Sequence, residues 1–256
     1  MKKIQGVYKI TANQKISGSY YHLKIAAPDI GRGVLPGQFV HVRVNDGLEP
    51  FFRRPFSVFR GGKSLEILYD VVGPATKQLA AKRPGETLDV IGPLGHAFTL
   101  PDKNIRVVVL IAGGVGIAPF LTLTDKIRLK KLDKILLYGG RTKANIVSLK
   151  AFRDNGCRIH VATDDGSAGV KGRVSGLFSK IPLDPSTTLI YACGPRPMLA
   201  AIQSFAAQHG MRGELSYEEV MACGLGACLG CAVQTRKGYK TVCHDGPVFP
   251  LEEVVF

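Results

Sequence analysis

Four of the six cysteines lie close together near the C-terminal end of the 256-residue chain. They follow the spacing C-x4-C-x2-C-x11-C and comprise Cys223, Cys228, Cys231 and Cys243. The first three match the plant-type ligand spacing of a [2Fe-2S] cluster, which is held by four thiolates. The interleaved Gly224, Gly226 and Gly230 would let the backbone curl around the cluster and turn its N–H groups toward the sulfurs. The pattern therefore predicts iron–sulfur chemistry.

Structural zinc and unliganded core cysteines are the alternatives for these residues. Structural zinc sites usually combine two C-x2-C pairs, whereas this segment contains one. Four cysteines in one glycine-rich segment are unusual for unliganded core residues. His244, beside Cys243, could hydrogen-bond to the cluster, although simple exposure to solvent is the interpretation that we favour. A segment of this size should fold poorly without its metal.

The remaining cysteines lie far from this group in the sequence. Cys157 follows a turn at the entrance to an apolar stretch, which favours a small buried residue. Cys193 begins Cys193-Gly194-Pro195 at the end of a predicted strand. Open α/β sheets bind ligands at that edge, so these three residues are candidates for nucleotide binding. An ordinary turn is the alternative.

A second glycine-rich segment follows the apolar stretch Val107–Ile111 and contains Gly113, Gly114 and Gly116. These glycines would let a dinucleotide phosphate approach the backbone, and Pro119 suits a first helical turn. The segment lacks the third glycine of G-x-G-x-x-G, so it is not the common Rossmann form.

The choice between NAD and NADP stays open at this stage. Asp164 and Asp165 lie near the expected ribose end, where carboxylates would repel a 2′-phosphate and favour NAD. Arg141 and Lys143 favour NADP.

Residues suited to a flavin occur earlier in the chain. In Arg53-Arg54-Pro55-Phe56-Ser57 an arginine could neutralise a pyrophosphate through forked hydrogen bonds, and Ser57 could hydrogen-bond to a flavin ring edge. Gly73 begins a predicted helix. The free N–H groups of that helix, together with the Thr76 hydroxyl, would form a phosphate-binding site. Cross-strand packing is the alternative for Tyr69, and an ordinary turn is the alternative for Gly73.

Two kinds of element must position these residues. Residues 1–100 contain β-branched and aromatic runs with period-two alternation, which predict a small antiparallel β-barrel; the clearest runs are 6–10, 20–25, 38–44 and 65–69. Residues 101–212 contain fully apolar strands separated by basic helical stretches, which predict an α/β domain with a parallel sheet; the strands are 107–111, 134–138, 158–162 and 188–192. Residues 213–256 carry the cysteine cluster and are too few to make much of a core.

Composition excludes several classes of protein. A net charge of +14 favours anionic partners. The chain has no Trp, and its basic residues are scattered over predicted helix faces, which disfavours nucleic-acid binding. The uncharged run 107–124 contains three glycines and a proline, so it predicts a buried strand, a turn and a helix start rather than a membrane span. The two N-terminal lysines have no apolar stretch behind them, which predicts a cytoplasmic protein.

In their order and spacing, three motifs resemble the ferredoxin-NADP reductase superfamily over residues 1 to about 212: Arg54-Pro55-Phe56-Ser57, Gly113 to Phe120, and Cys193-Gly194-Pro195. The tail is similar to one branch of that superfamily, the electron-transfer subunits of two-subunit, NAD-dependent dihydroorotate dehydrogenases. Glu218 to Cys231 and Val242 to Phe249 carry this second resemblance.

The resemblance implies a β-barrel that binds FAD, an α/β domain that binds NAD(H) and a C-terminal [2Fe-2S] domain that faces a partner. In that family the partner subunit carries FMN and oxidises dihydroorotate to orotate in pyrimidine biosynthesis, and the two subunits form a heterotetramer. Electrons pass from FMN through the cluster to FAD, and then as a hydride to NAD+.

The resemblance also implies individual site residues. Cys223, Cys228, Cys231 and Cys243 would hold iron, and Cys193 would lie beside the nicotinamide. Asp70 departs from the basic or polar residue that is usual at its position in the family. The implied FAD contacts are Arg54, Pro55, Phe56, Ser57, Leu68, Tyr69, Asp70, Ala75 and Thr76.

A flavin exchanges either a hydride or single electrons, so a chain with all three cofactors converts between the two and requires no acid–base side chain. Two alternatives to the dihydroorotate hypothesis remain. One is a subunit of a ferredoxin-linked oxidoreductase or hydrogenase complex, and the other is a non-catalytic module that retains a flavin-binding fold.

Overall fold

The computed structural model describes residues 2–178 and 180–256. The chain forms a closed six-stranded barrel, a seven-stranded sheet and a two-stranded hairpin. This is the predicted combination of a barrel and an α/β sheet.

The barrel strands pair in the order β1-β2-β5-β4-β3-β6, and every pairing is antiparallel. Period-two alternation points Val40 and Val42 into the barrel core. Two helices lie in this part of the chain, α1 (Pro28–Gly31) and α2 (Pro74–Ala81). The strands are β1 (Ile4–Ser17), β2 (Tyr20–Ile25), β3 (Phe39–Arg43), β4 (Arg54–Arg60), β5 (Leu65–Asp70) and β6 (Thr87–Leu94).

The large sheet has the order β10-β9-β8-β7-β11-β12-β15, and only β15 is antiparallel to its neighbour. Its central strands are buried on both faces, as their unbroken apolar sequences predict. The strands are β7 (Val107–Gly113), β8 (Asp133–Gly140), β9 (Cys157–Thr163), β10 (Val170–Lys171), β11 (Thr188–Cys193), β12 (Arg212–Ser216) and β15 (Val248–Pro250).

Helices α3 (Ala118–Ile127), α4 (Leu149–Asp154), α5 (Val174–Phe178) and α6 (Arg196–Gln208) accompany this sheet. The uncharged run becomes strand β7, a 3₁₀ turn at Gly114–Ile117 and helix α3, as predicted. Among the described residues, no helix is long and apolar enough to cross a membrane.

The cysteine-bearing tail adds the hairpin β13 (Ala232–Thr235) and β14 (Gly238–Thr241). It has no separate core, because Cys231 and Val242 pack in one cluster with Val109 of the large sheet. Phe39 and Leu94 of the barrel belong to the same cluster. The tail is therefore wedged against both larger parts of the molecule.

The barrel and the large sheet also contact each other directly. Arg60 of β4 makes two hydrogen bonds to the Asp125 carboxylate, at 2.8 and 3.1 Å. The Thr122 hydroxyl donates to the Phe59 carbonyl oxygen at 3.0 Å. These contacts orient the flavin-like motif relative to the glycine-rich edge of the sheet.

Candidate functional site

The structure brings the two predicted nucleotide motifs into direct contact. Strands β7 and β11 are neighbours, and Cys193 pairs with Ala112 at their carboxyl ends. A Cβ atom on Gly116 would lie 2.3 Å from the Cys193 carbonyl oxygen, and one on Gly113 would lie 2.8 Å from Pro195 Cδ. Only glycine allows this approach of backbone to backbone.

The carboxyl ends of these strands also lie against the barrel. Gly114 has a φ of +57°, and a Cβ atom there would lie 2.9 Å from the Tyr20 hydroxyl oxygen of β2. The Asn145 amide donates to the same oxygen at 3.3 Å. The dinucleotide motif thus adjoins the barrel, as electron exchange between two bound cofactors requires.

Neither Cys157 nor Cys193 has the lowered thiol pKa of a nucleophilic cysteine. Burial and the nearby Glu218 carboxylate raise the pKa of Cys193 to about 12, against a lowering by Ser216. Burial raises the pKa of Cys157 to about 11. Both thiols stay protonated at neutral pH and are unreactive in that form. The structure agrees with the prediction that Cys157 is a buried packing residue.

The acidic and basic groups considered for the ribose end lie at one edge of the sheet. Asp164 and Asp165 follow β9, and their N–H groups donate to the carbonyl oxygens of Gly140, the last residue of β8, and Arg141. The Ser167 hydroxyl and N–H bond to Asp165 at 2.6 and 2.9 Å and lower its pKa. A carboxylate held in this ionised form would repel a 2′-phosphate.

The predicted flavin residues divide into an exposed and a buried group. Arg54, Pro55, Ser57, Asp70 and Gly73 are partly exposed, whereas Phe56, Leu68, Tyr69, Ala75 and Thr76 are buried. The Tyr69 hydroxyl donates to Asn13 at 3.0 Å, and its ring packs on Tyr21 and Phe56. These contacts fit the cross-strand packing alternative for Tyr69.

The turn into α2 is organised by Thr76. Its hydroxyl oxygen accepts the N–H groups of Val72 and Gly73 at 2.9 and 3.1 Å. Asp70, at the end of β5, accepts a hydrogen bond from the Ser19 hydroxyl. The Thr76 oxygen therefore already shapes the helix start, and free N–H groups of that start are the donors left for a phosphate.

The cysteine thiols lie in two neighbouring pairs. The Cys228 side chain influences the pKa of Cys223, and the Cys231 thiol influences that of Cys243, whose N–H also donates to Cys231 Sγ at 3.4 Å. Cys231 and Cys243 are buried, whereas Cys228 is exposed. Among the described residues, no three His, Cys, Asp or Glu side chains converge on the position of one metal ion. Two pairs suit a two-iron cluster in which each iron takes two thiolates.

Backbone N–H groups point at these sulfurs as the glycines predict. The Leu225 N–H donates to Cys223 Sγ at 3.3 Å, and the Gly226 N–H donates to Cys243 Sγ at 3.1 Å. Gly224 and Gly226 have φ values of +69° and +86°, a conformation that glycine favours. This backbone is shaped for anionic sulfur.

Cys223 and Cys243 differ in acidity. Burial would raise the pKa of Cys223, but hydrogen bonds from the Leu225 and Cys228 backbone and from the Cys228 side chain lower it to about 6. Burial, the Cys231 thiol and its charge raise the pKa of Cys243 to about 12. Iron displaces the thiol proton on binding, and Cys223 is already prepared for that loss.

His244 is exposed, as we favoured from the sequence. Its Nδ1 lies 3.1 Å from an Asp245 carboxylate oxygen, and its side chain is 60% exposed. The His244 side chain contacts Gly226, because a Cβ atom added to Gly226 would lie 2.9 Å from the Cβ atom of His244.

Sequence reasoning missed one residue of this region, His41. Its ring is completely buried between the barrel and the cysteine loop, residues 218–231, and a Cβ atom on Gly224 would lie 2.5 Å from its Nδ1. Burial lowers the pKa of His41 to about 4, against a raising by the backbones of Cys223 and Arg53. The one available signal was a histidine flanked by Phe39, Val40 and Val42.

Two family models match parts of the chain. Residues 218–255 match the model described as the iron-sulfur cluster binding domain of dihydroorotate dehydrogenase B. Residues 110–204 match the oxidoreductase NAD-binding domain.

Curated relatives match almost the whole chain. A dihydroorotate dehydrogenase B (NAD(+)) electron transfer subunit from Desulforamulus reducens is 38% identical over 255 residues, covering 97% of both chains. The subunit of the same name from Bacillus cereus is 36% identical, covering 96% of this chain and 97% of that one.

Solved structures are similar in fold. A structure of an NADH-dependent reduced ferredoxin-NADP oxidoreductase, studied for flavin-based electron bifurcation, has a TM-score of 0.85 and 29% identity over 98% of this chain and 90% of that one. The cytochrome b5 reductase domain of Ulva prolifera nitrate reductase has a TM-score of 0.69 and 19% identity over 81% of this chain and 94% of that one.

Proposed function

The chain belongs to the family of dihydroorotate dehydrogenase B (NAD(+)) electron transfer subunits, and from this premise we propose that it links a dihydroorotate-oxidising catalytic subunit to NAD+. One observation carries the proposal. Two pairs of cysteines, Cys223 with Cys228 and Cys231 with Cys243, lie in a segment that packs between the barrel, which has the flavin motif, and the large sheet, which has the dinucleotide motif. The chain is an oxidoreductase subunit of pyrimidine biosynthesis that acts in the cytoplasm.

When bound, FAD exchanges a hydride with NAD(H) and single electrons with a [2Fe-2S] cluster, which accepts electrons from the FMN of the partner subunit. The residues of this chain position those groups and exclude water from them. No acid–base side chain is needed, which agrees with the raised pKa of Cys193.

Each cofactor has its own residues in this proposal. Cys223, Cys228, Cys231 and Cys243 hold the cluster, while N–H groups of their loop donate to the sulfurs. Gly113, Gly114, Gly116, Cys193, Gly194 and Pro195 hold NAD(H). Arg54 neutralises the FAD pyrophosphate, and Pro55, Phe56, Ser57, Leu68, Tyr69, Asp70, Gly73, Ala75 and Thr76 complete the FAD site.

The partner is an FMN-containing catalytic subunit, and the proposed assembly is a heterotetramer of two subunits of each kind. The loop that would meet the partner exposes apolar side chains: Val220, Leu225 and Leu229. Such side chains next to a redox centre suit contact with another protein.

The test is anaerobic co-expression with the catalytic subunit, followed by absorption spectroscopy and analysis of iron, sulfide and flavin. We expect two irons, two sulfides and one FAD for each copy of this chain, and reduction of added NAD+ to NADH when dihydroorotate is supplied. A colourless protein, or one that holds zinc, would refute the proposal.

A ferredoxin-linked role is the second candidate, favoured by the similarity to the NADH-dependent reduced ferredoxin-NADP oxidoreductase. The same purified complex separates the two. Bleaching by dihydroorotate supports the first candidate, whereas reduction of ferredoxin by NADH without a response to dihydroorotate supports the second.

A further inference from the structure

His41 lies on the same face of the barrel as two residues of the flavin motif. In the β3–β4 pair His41 is opposite Pro55, and Phe39 is opposite Ser57. Directly opposed residues project from the same face of a sheet. The intervening Val40 and Val42 point into the barrel core. His41 therefore stands on the outer face, in the row that carries Pro55 and Ser57.

The other side of the His41 ring meets the cysteine loop. A Cβ atom on Gly224 would lie 2.5 Å from Nδ1 and 3.1 Å from both Cγ and Cε1 of His41. The Gly224 backbone thus lies directly on the edge of the imidazole. Because Gly224 follows Cys223, the ring bridges the flavin motif and the first proposed iron ligand.

This ring is a polar group in a fully buried position. His41 is fully buried, and among the described residues neither ring nitrogen has a hydrogen-bond partner of normal geometry. The polar groups that act on it are the backbones of Cys223 and Arg53 and the charges of Arg53 and Arg54. Buried polar atoms without partners are rare and call for an explanation.

We propose that His41 is a positioning residue for electron transfer between the flavin and the cluster. Its ring fixes the Cys223–Gly224 turn against strands β3 and β4, and its polar edge orients the Cys223 backbone. Through this contact it sets both the spacing of the two cofactors and the environment of the Cys223 sulfur. The inference rests on the proposed function, because it presupposes that FAD and the cluster are bound at these places.

The first test compares the wild-type complex with His41→Leu and His41→Asn, each loaded with FAD and iron. Leucine removes the polar edge, whereas asparagine retains a donor close to the place of Nδ1. The measurements are the EPR spectrum of the reduced cluster, its reduction potential and the stopped-flow rate of its reduction by NADH. His160→Leu, at an exposed position on β9, is the control.

We expect His41→Leu to slow cluster reduction on the order of 10- to 100-fold, the usual effect of removing a group that supports a metal ligand. Its EPR spectrum should shift, the KM for NADH should stay unchanged, and His41→Asn should recover part of the rate. Wild-type rates and spectra in fully loaded His41→Leu would overturn the inference.

A second test applies if His41→Leu does not retain its cofactors. Gly224→Ala is made in the wild-type and in the His41→Ala background, and the melting temperature and iron content are measured. The strain of an alanine at φ +69° is common to both backgrounds and cancels in the double-mutant cycle. We expect Gly224→Ala to be much less harmful once the ring is removed. Additive effects would overturn the inference.

Failure of the proposed function is distinguishable from failure of this inference. A wild-type protein without FAD or without an iron–sulfur cluster refutes the proposed function. A wild-type protein with both cofactors, together with unperturbed His41 variants, refutes only the role of His41.

Discussion

The dinucleotide edge and the cysteine loop place their glycines by different means. At the dinucleotide edge, Gly113 ends a strand paired on both sides and Gly116 lies in the 3₁₀ turn that follows, so the main-chain hydrogen bonds of the strand determine where these glycines lie. The cysteine loop, residues 218–231, has no helix or strand, and its shape comes from Gly224 and Gly226 at positive φ and from N–H groups on sulfur.

This difference has an energetic consequence. A ligand edge built by a buried sheet exists before its ligand arrives, because the sheet core stabilises it. A loop built around thiolates depends on the metal that keeps them deprotonated. We therefore expect the first region to tolerate loss of its ligand and the second to depend on its ligand.

The strongest test of the difference is Cys231→Ala compared with Cys157→Ala. Both residues are buried, but only Cys231 belongs to the cysteine loop. We expect Cys231→Ala to abolish the visible absorption of the cluster and to lower the melting temperature, because metal binding contributes to folding. Cys157→Ala should retain full iron content. Equal iron loss in both variants would contradict the proposed ligands.

Alkylation of iron-free protein measures the same difference in reactivity. The hydrogen bonds of the loop lower the pKa of Cys223 to about 6, whereas burial raises that of Cys193 to about 12, so iodoacetamide near neutral pH should modify Cys223 faster than Cys193 when the loop keeps this shape without iron. Peptide mass spectrometry over a pH series gives the rates. The rate at Cys223 should fall as the pH drops below about 6. Equal rates at the two cysteines would show that the loop does not prepare Cys223.

Gly116→Ala tests whether the dinucleotide edge is rigid. The added Cβ would lie 2.3 Å from the Cys193 carbonyl oxygen, so strand β11 would have to move. We expect a loss of about 1–3 kcal/mol in the free energy of unfolding, as for other overpacked sites, and weaker NADH binding. Urea unfolding and NADH titration are the measurements.

Gly176→Ala is the matched control for Gly116→Ala. A Cβ atom on Gly176 of α5 would meet no atom within 4 Å. The Gly176→Ala substitution should leave the free energy of unfolding unchanged or raise it slightly, because glycine lowers helix stability. A Gly116→Ala protein as stable as this control would show that the edge adapts readily.

The smallest expected effect concerns the pH stability of the barrel, which carries no metal ligand. Burial would raise the pKa of Glu66, but its hydrogen bond to His22 at 2.7 Å and the charges of His22 and Lys24 lower it overall. A carboxyl group with a lowered pKa stabilises the folded state at pH values above its ordinary pKa, about 4.3 for Glu. This stabilisation is lost as the pH falls through the lowered pKa of the folded state.

Melting curves between about pH 6 and pH 3 across that ordinary value would measure this effect, with Glu66→Gln as the comparison. The Glu66→Gln protein should show a flatter decline of melting temperature with acid. An unchanged slope would exclude this ion pair as a source of acid sensitivity.

The sequence predicts the elements whose signals are local. The eight predicted strands are confirmed, because period-two alternation and unbroken apolar runs report directly on which faces are buried. Contact between the dinucleotide motif and Cys193-Gly194-Pro195 was not predicted, because it depends on β7 and β11 being neighbouring strands. Strand β6 has a weaker signal, because Gly92 and Pro93 interrupt it.

Features that depend on distant pairing could not be predicted in this way. Strands β12 and β15 extend the large sheet, yet nothing in their short sequences indicates that sheet as their partner. His41 belongs to the same class, because its importance arises only when Gly224 is brought against it from elsewhere in the chain. A lone histidine in a strand has no distinguishing pattern.

The strand that closes the large sheet has a consequence for solubility. One outer edge is the two-residue β10, and the other is the three-residue β15, which ends in Pro250 and therefore lacks one N–H donor. Short edges that contain proline offer little template for another chain to add a strand. The protein can therefore keep apolar side chains exposed near its cysteine loop for a specific partner without inviting fibrous self-association through its sheet.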